Sequence, residues 1–318
     1  MEVGELLNNY EKGQRDFAGA DLSGANLSGA ILIGVNLSQA NLSGANLSRA
    51  FLTKATLKGA LLQRTNLSFA KMGEAKLPGA DLTKANLSGA FLVKAKLPRV
   101  KLSGATLTGA NLRGAVLWNA NLCSADLQLV NLLGANLTGA NFKWANLYGA
   151  KLNSAKLFGA QLTGVSLRQA QLTGVNLCGA DLSGVNVSEA KLMGANLEGS
   201  NLAGANFSAA QLREVKLAGA NLTGAKLRGS CLRGANLNWA KLCQADLMSA
   251  DLSEATLIGA NLDNALLAGA ILPESTRRYF SLAGPGKSIL GKLRRFKMGN
   301  GEWRMGNFWR LNLVSTEL

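Results

Sequence analysis

Eleven cations crowd one stretch of this sequence. Arg49, Lys54, Lys58, Arg64, Lys71, Lys76, Lys84, Lys94, Lys96, Arg99 and Lys101 are opposed there only by Glu74 and Asp81, a local net charge of +9. The whole chain carries +15. Such a stretch does electrostatic chemistry: it attracts carboxylate-rich protein surfaces, nucleic-acid phosphates or anionic headgroups. Phe51 and Phe91 flank Lys71 at intervals of 20 residues. An aromatic–cation–aromatic stack of that kind could hold an unpaired base. The plainer reading is solvated lysines beside incidental rings. A smaller set, Arg213, Lys216, Lys226, Arg228, Arg233 and Lys241 against Glu214, reads as solvated surface.

Residues for bond-making chemistry are missing. The chain has no His, which removes the commonest general base and the commonest metal ligand. Cys123, Cys178, Cys231 and Cys243 form no CxxC pair, so neither a zinc nor a redox motif is written. Gly286-Lys287-Ser288 resembles the end of a phosphate loop, but Ser281 stands where that loop needs Gly. Asp21, Asp81 and Asp181 recur by period and do not converge. The expectation is a protein that is not an enzyme, with no cofactor and no metal.

What positions the cations is a five-residue period. Its centres fall at every fifth residue from Phe17 to Leu272, 52 in all, and all are Leu except Phe17, Met72, Phe142, Val187 and Phe207. Two residues before the centre sits Ala, with Val, Thr or Ser in a minority; one before it, often Asn or Asp. Two after it, Gly stands in 28 of the 51 units from Gly19 to Gly269. A period of five suits neither a helix at 3.6 nor a strand at 2. Each unit must therefore turn. Pro78-Gly79 carries the type II turn signature.

Ala20-Asp21-Leu22-Ser23-Gly24 and Ala40-Asn41-Leu42-Ser43-Gly44 match A(D/N)LxG at every position; Ala45-Asn46-Leu47-Ser48-Arg49 departs at its last residue. On those units the chain resembles the pentapeptide-repeat family. The opening Leu6-Leu7-Asn8-Asn9-Tyr10 resembles cyanobacterial members. The resemblance implies an all-β solenoid, a right-handed quadrilateral β-helix with Leu and Ala inward. Four units per turn would give about 13 coils of 20 residues over 16–273. Departures such as Arg49 leave the turn type of individual units open. Some members of that family imitate DNA and protect topoisomerases; such mimicry needs an acidic surface, and this one is basic.

Read as a 20-residue lattice, the sequence stacks Ser28, Ser48, Ser68, Ser88 and Thr108 in one column, Lys54, Glu74 and Lys94 in another, and Pro78 on Pro98. Opposite charges favour such neighbours, and Lys76 on Lys96 is unfavourable unless solvated or bridged. Lys54, Lys58, Lys71, Lys76, Lys94, Lys96 and Arg99 fall on two adjacent faces. Trp118, Trp144, Phe158 and Trp239 point outward.

Residues 1–15 precede the repeat. Val3, Leu6, Leu7 and Tyr10 form one helical stripe that Gly13 can end, giving a short N-terminal helical cap. Residues 274–318 form a basic, aromatic-containing, non-repeat segment with Trp303 and Trp309. It would cap the last coil, dock on a partner, or bind an anionic surface. No signal pattern opens the sequence, and no apolar run is long enough to span a bilayer. The expectation is a cytoplasmic scaffold or protein-interaction rod whose protein partner the residues do not identify. Nucleic acid or an anionic membrane surface is the alternative, and dimerisation through a coil end stays open.

Overall fold

The computed structural model describes residues 1–274. The chain divides into two compact units, Met1–Asn176 and Leu177–Leu318. Residues 275–318, with Trp303 and Trp309, lie outside the described residues.

Both units are built from one rule. Residue 16 bridges 36, 21 bridges 41, 26 bridges 46, and so on, always parallel and 20 residues apart. Four five-residue segments therefore close one four-sided coil, and each side lies on the same side of the next coil.

The unit Asn41–Ala45 shows why the repeat has its composition. Asn41 N–H donates back to Ala20 O at 2.9 Å; Leu42 and Gly44 donate forward to Leu61 O and Gln63 O at 2.7 and 2.9 Å; Ala45 closes the turn on Leu42 O at 3.0 Å. One N–H remains, that of Ser43, and the Asn41 carboxamide oxygen accepts it at 3.2 Å. All five donors are paired, as a backbone stacked on itself demands. Asn or Asp before the centre is thus an Asx turn built into each side. The carboxamide also reaches the coil before: Asn46, Asn66 and Asn86 donate in turn to Asn26, Asn46 and Asn66.

Centres and inner-corner residues fill the interior. Leu from position 22 to 252 and the Phe at 142 and 207 are almost all sealed from solvent. Hydroxyls at the inner corner are satisfied: Thr65 donates to Leu42 O at 2.7 Å, Ser200 to Leu197 O at 2.6 Å and Ser230 to Leu227 O at 2.7 Å.

The second turn position is left-handed in all 51 units from Gly19 to Gly269. Glycines there have φ from 61° to 70°, and the 23 other residues have φ from 53° to 62°. Positive φ at this one turn position, with Pro allowed before it, is the type II turn. Arg49, where the repeat departs from consensus, has φ 57° and turns like its neighbours.

Before the first coil, α1 (Val3–Glu11) buries Leu6. Tyr10 Oη donates to Ile33 O at 2.9 Å, and Gly13, at φ 96°, ends the helix with its N–H on Tyr10 O. No helix among the described residues is long and apolar enough to cross a membrane.

Candidate functional site

The cations between 49 and 101 stand on three kinds of position, with Lys58 alone at a first turn residue. Lys71, Lys76, Lys96 and Lys101 replace the Asn or Asp before the centre. Arg49, Lys54, Arg64, Lys84, Lys94 and Arg99 occupy left-handed corners. An L-residue in that conformation costs about 1–2 kcal/mol. Of the 23 non-glycine corners these six are all the Lys or Arg, and every one lies between 49 and 99.

The Asn ladder gives way where the charge gathers. Phe51, Thr56, Leu61, Lys71, Lys76, Phe91, Lys96 and Lys101 stand where Asn or Asp would accept the next turn's N–H. Behind Lys76 and Lys96 the turn residue is Pro78 or Pro98, which has no N–H to satisfy. Proline therefore frees the position before the centre for an outward lysine.

Lys54, Lys58, Lys71, Lys76, Lys94, Lys96 and Arg99 are all exposed, and Lys76 bridges Lys96 directly. Among the described residues the one ion pair in this segment joins Lys101 to Asp81 at 3.7 Å. Glu74 pairs with neither Lys54 nor Lys94. Opposite charges alternate down that column, yet all three side chains are exposed and neither pair closes. Arg99 instead lies 5.0 Å from the Trp118 ring. In the second unit the smaller basic set is partly neutralised: Arg213 meets Glu214 at 3.2 Å, and Arg233 holds Glu254 through two bonds.

Phe51, Lys71 and Phe91 do stack in register. Lys71 itself fills the interval, its Nζ 3.6 Å from the Phe91 centroid. Around the corner runs a second row, Gly29, Arg49, Phe69 and Gly89. The Phe69 ring lies over Gly89, where an added Cβ would come within 2.6 Å of it. Between the rows is an open groove of about 510 Å³ lined by Gly29, Arg49, Phe51, Phe69, Lys71 and Phe91. Phe69 is 52% exposed, Phe51 43% and Phe91 40%. Arg49 and Phe69 stand in the column next to Phe51–Lys71–Phe91, so pairing residues down a single column does not reveal them as groove residues. The signal that finds them is a large residue at a turn corner followed, 20 residues on, by Gly. Trp144 over Gly164, Leu129 over Gly149 and Trp239 over Gly259 repeat that signal.

The carboxylates in the ladder are structural. The Ser183 hydroxyl, then its N–H, hold Asp181 below the ordinary carboxylate pKa; Ser253 does the same for Asp251. Burial raises Asp81, but the Thr83 hydroxyl and N–H outweigh it and the net shift is downward. Among the described residues no three His, Cys, Asp or Glu gather as a metal site would need.

Four short sides closing one side-chain-filled coil define a β-helical repeat protein. The profile for pentapeptide repeats matches residues 20–59, 60–98, 101–132, 119–153, 155–192, 190–229 and 230–273, and the chain belongs to the pentapeptide-repeat family. Membership supplies the hand of the winding, a right-handed quadrilateral β-helix. Similar solved structures include HetL, a pentapeptide repeat protein involved in heterocyst differentiation regulation from the cyanobacterium Nostoc sp. strain PCC 7120 (31% identity, 86% of this chain and 98% of that chain, TM-score 0.23). Rfr23 from the cyanobacterium Cyanothece 51142 is 30% identical over 43% of this chain and 94% of its own, TM-score 0.30. QnrB1, a plasmid-mediated fluoroquinolone resistance protein, is 17% identical over 74% of this chain and 100% of its own, TM-score 0.31. Comparison with curated protein sequences finds no match.

Proposed function

We propose that this chain is a non-catalytic interaction scaffold that docks on an acidic protein surface through residues 49–101. One observation carries the reading: every Lys or Arg placed at a left-handed corner lies between 49 and 99. Those corners would be more stable as glycine, so the side chains are kept against the preference of the backbone. Strain held in that way clusters at functional surfaces. Among the described residues no carboxylate pairs with Lys58, Lys76, Lys96 or Arg99, which supports the same face. In this reading α1 caps the first coil, residues 16–273 wind about 13 coils, and 274–318 form a separate segment.

The test is affinity capture from a lysate, with the wild-type chain and a Lys58→Gln, Lys76→Gln, Lys96→Gln, Arg99→Gln variant as bait. A reproducible protein partner retained by the wild type and lost by the variant is the expected result. A gel shift with random DNA or RNA that is abolished by the same variant, with no protein captured, would overturn the proposal in favour of nucleic acid.

A further inference from the structure

The groove at the corner between Arg49–Phe69 and Phe51–Lys71–Phe91 lies at the edge of the cationic faces and shares Lys71 with them. Its walls are three rings and the Lys71 stem, and its charge comes from one guanidinium and one ammonium. Neither Arg49 nor Lys71 has a carboxylate partner among the described residues. Both Arg49 and Phe69 sit at left-handed corners, at φ 57° and 58°. Two adjacent coils therefore hold strained residues on one wall of one groove. Of the seven exposed apolar corner and bridge residues in the first unit, three line this groove, and here three rings meet two cations.

We infer that this groove takes a short acidic peptide segment carrying one aromatic or large aliphatic side chain. The inference rests on the docking reading above and names the chemistry of the partner. A carboxylate fits Arg49 in a two-point bond, and a second meets Lys71. The apolar side chain lies between Phe51 and Phe69, where rings contribute beyond their buried area. A nucleic-acid base fits less well. Phe51 and Phe91 stand two coils apart, about 9.6 Å, and the Lys71 side chain already occupies the interval against Phe91. The chain's own 274–318 carries nine Lys or Arg against three Glu, so it repels a cationic groove.

The experiment is fluorescence anisotropy on the full chain with three labelled probes. The first is an alternating Asp-Gly peptide with one central Phe, the second has Ala for that Phe, and the third has Asn for every Asp. Phe69→Gly places the commonest residue at that corner and keeps the fold, which thermal unfolding checks. The expected result is a loss of roughly tenfold or more for the Phe probe with Phe69→Gly or Phe51→Ala, and no change for the Ala probe. The Asn probe binds weakly to every form. Lys76→Gln with Lys96→Gln lowers the Phe and Ala probes alike. If Phe69→Gly and Phe51→Ala bind the Phe probe as the wild type does, the groove inference falls while the docking reading stands. If neither acidic probe binds at low salt, both fall. Single-stranded DNA that displaces the Phe probe from the wild type but not from Phe69→Gly would assign the groove to nucleic acid and overturn the inference.

Discussion

At the scale of single residues, the second turn position sets two opposing demands. The backbone wants glycine; the surface wants a side chain. Arg64 answers the second, at φ 58°, with Lys84 directly above it in the next coil. Arg64→Gly removes left-handed strain and a like-charge neighbour, and adds the entropy cost of glycine. The balance favours the variant by up to about 1 kcal/mol, read as a higher urea midpoint. Gly89 is the opposite case. Alanine there adopts φ 63° at a cost and pushes the Phe69 ring off its seat. Gly89→Ala should lose roughly 1–2 kcal/mol, and Phe69→Gly in the same chain should recover part of it. Asn66 holds the Ser68 N–H at 3.1 Å, donates to Asn46 and accepts from Asn86. Asn66→Ala leaves that N–H without its acceptor and should cost about 1–2 kcal/mol.

At the scale of the coil, the residue before the centre and the first turn residue are chosen together. Asn with Ser is one solution, as in Asn66-Leu67-Ser68. Lys with Pro is another, as in Lys76-Leu77-Pro78, where no donor is left to satisfy. A third solution borrows from the coil before: after Gln171, the Thr173 N–H goes to the Asn153 carboxamide, and after Thr256, the Ile258 N–H goes to Asn238. Pro78→Ser in the Lys76 background should therefore cost more than Pro78→Ser combined with Lys76→Asn. A double-mutant cycle in urea measures that coupling.

Much of this was readable from residue order. A five-residue period with Leu at its centre demands a turn in every unit, the family resemblance implies four units to a coil, and the stacking of Phe51, Lys71 and Phe91 follows from that 20-residue lattice. The turn at Arg49 did not, since consensus glycine is absent and only the bonds of adjacent coils force the same left-handed corner. Nor did the groove. Its walls are residues 49 and 69 on one row and 51, 71 and 91 on another. Which way a ring at 69 leans depends on the bare α-carbon at 89, a relation between columns.

At the scale of the whole molecule, acid and salt act on different parts. The Asp181 and Asp251 carboxyls are held below their unfolded pKa of about 3.9 by hydroxyl and amide donors. Groups shifted down contribute stability above the unfolded value and lose it as pH falls through the folded one. With no His in the chain, the urea midpoint should stay flat from about pH 5 to 8 and drop below about pH 4. Salt should leave that midpoint nearly unchanged, because exposed pairs such as Arg233–Glu254 contribute little. Binding of an acidic partner to the 49–101 surface should weaken steeply as salt rises.

The gaps in the carboxamide ladder have one more consequence. Thr53, Lys58, Gln63, Gly73, Val93 and Ser103 follow positions where Phe, Thr, Leu or Lys replaced Asn, so their amides lack the side-chain acceptor that Ser68, Thr83 and Ser88 keep. Deuterium should enter at those six amides long before it enters their neighbours. They lie in the same segment as the surface cations. A partner seated there would slow the uptake at the amides it covers, and the isotope pattern alone would trace its footprint.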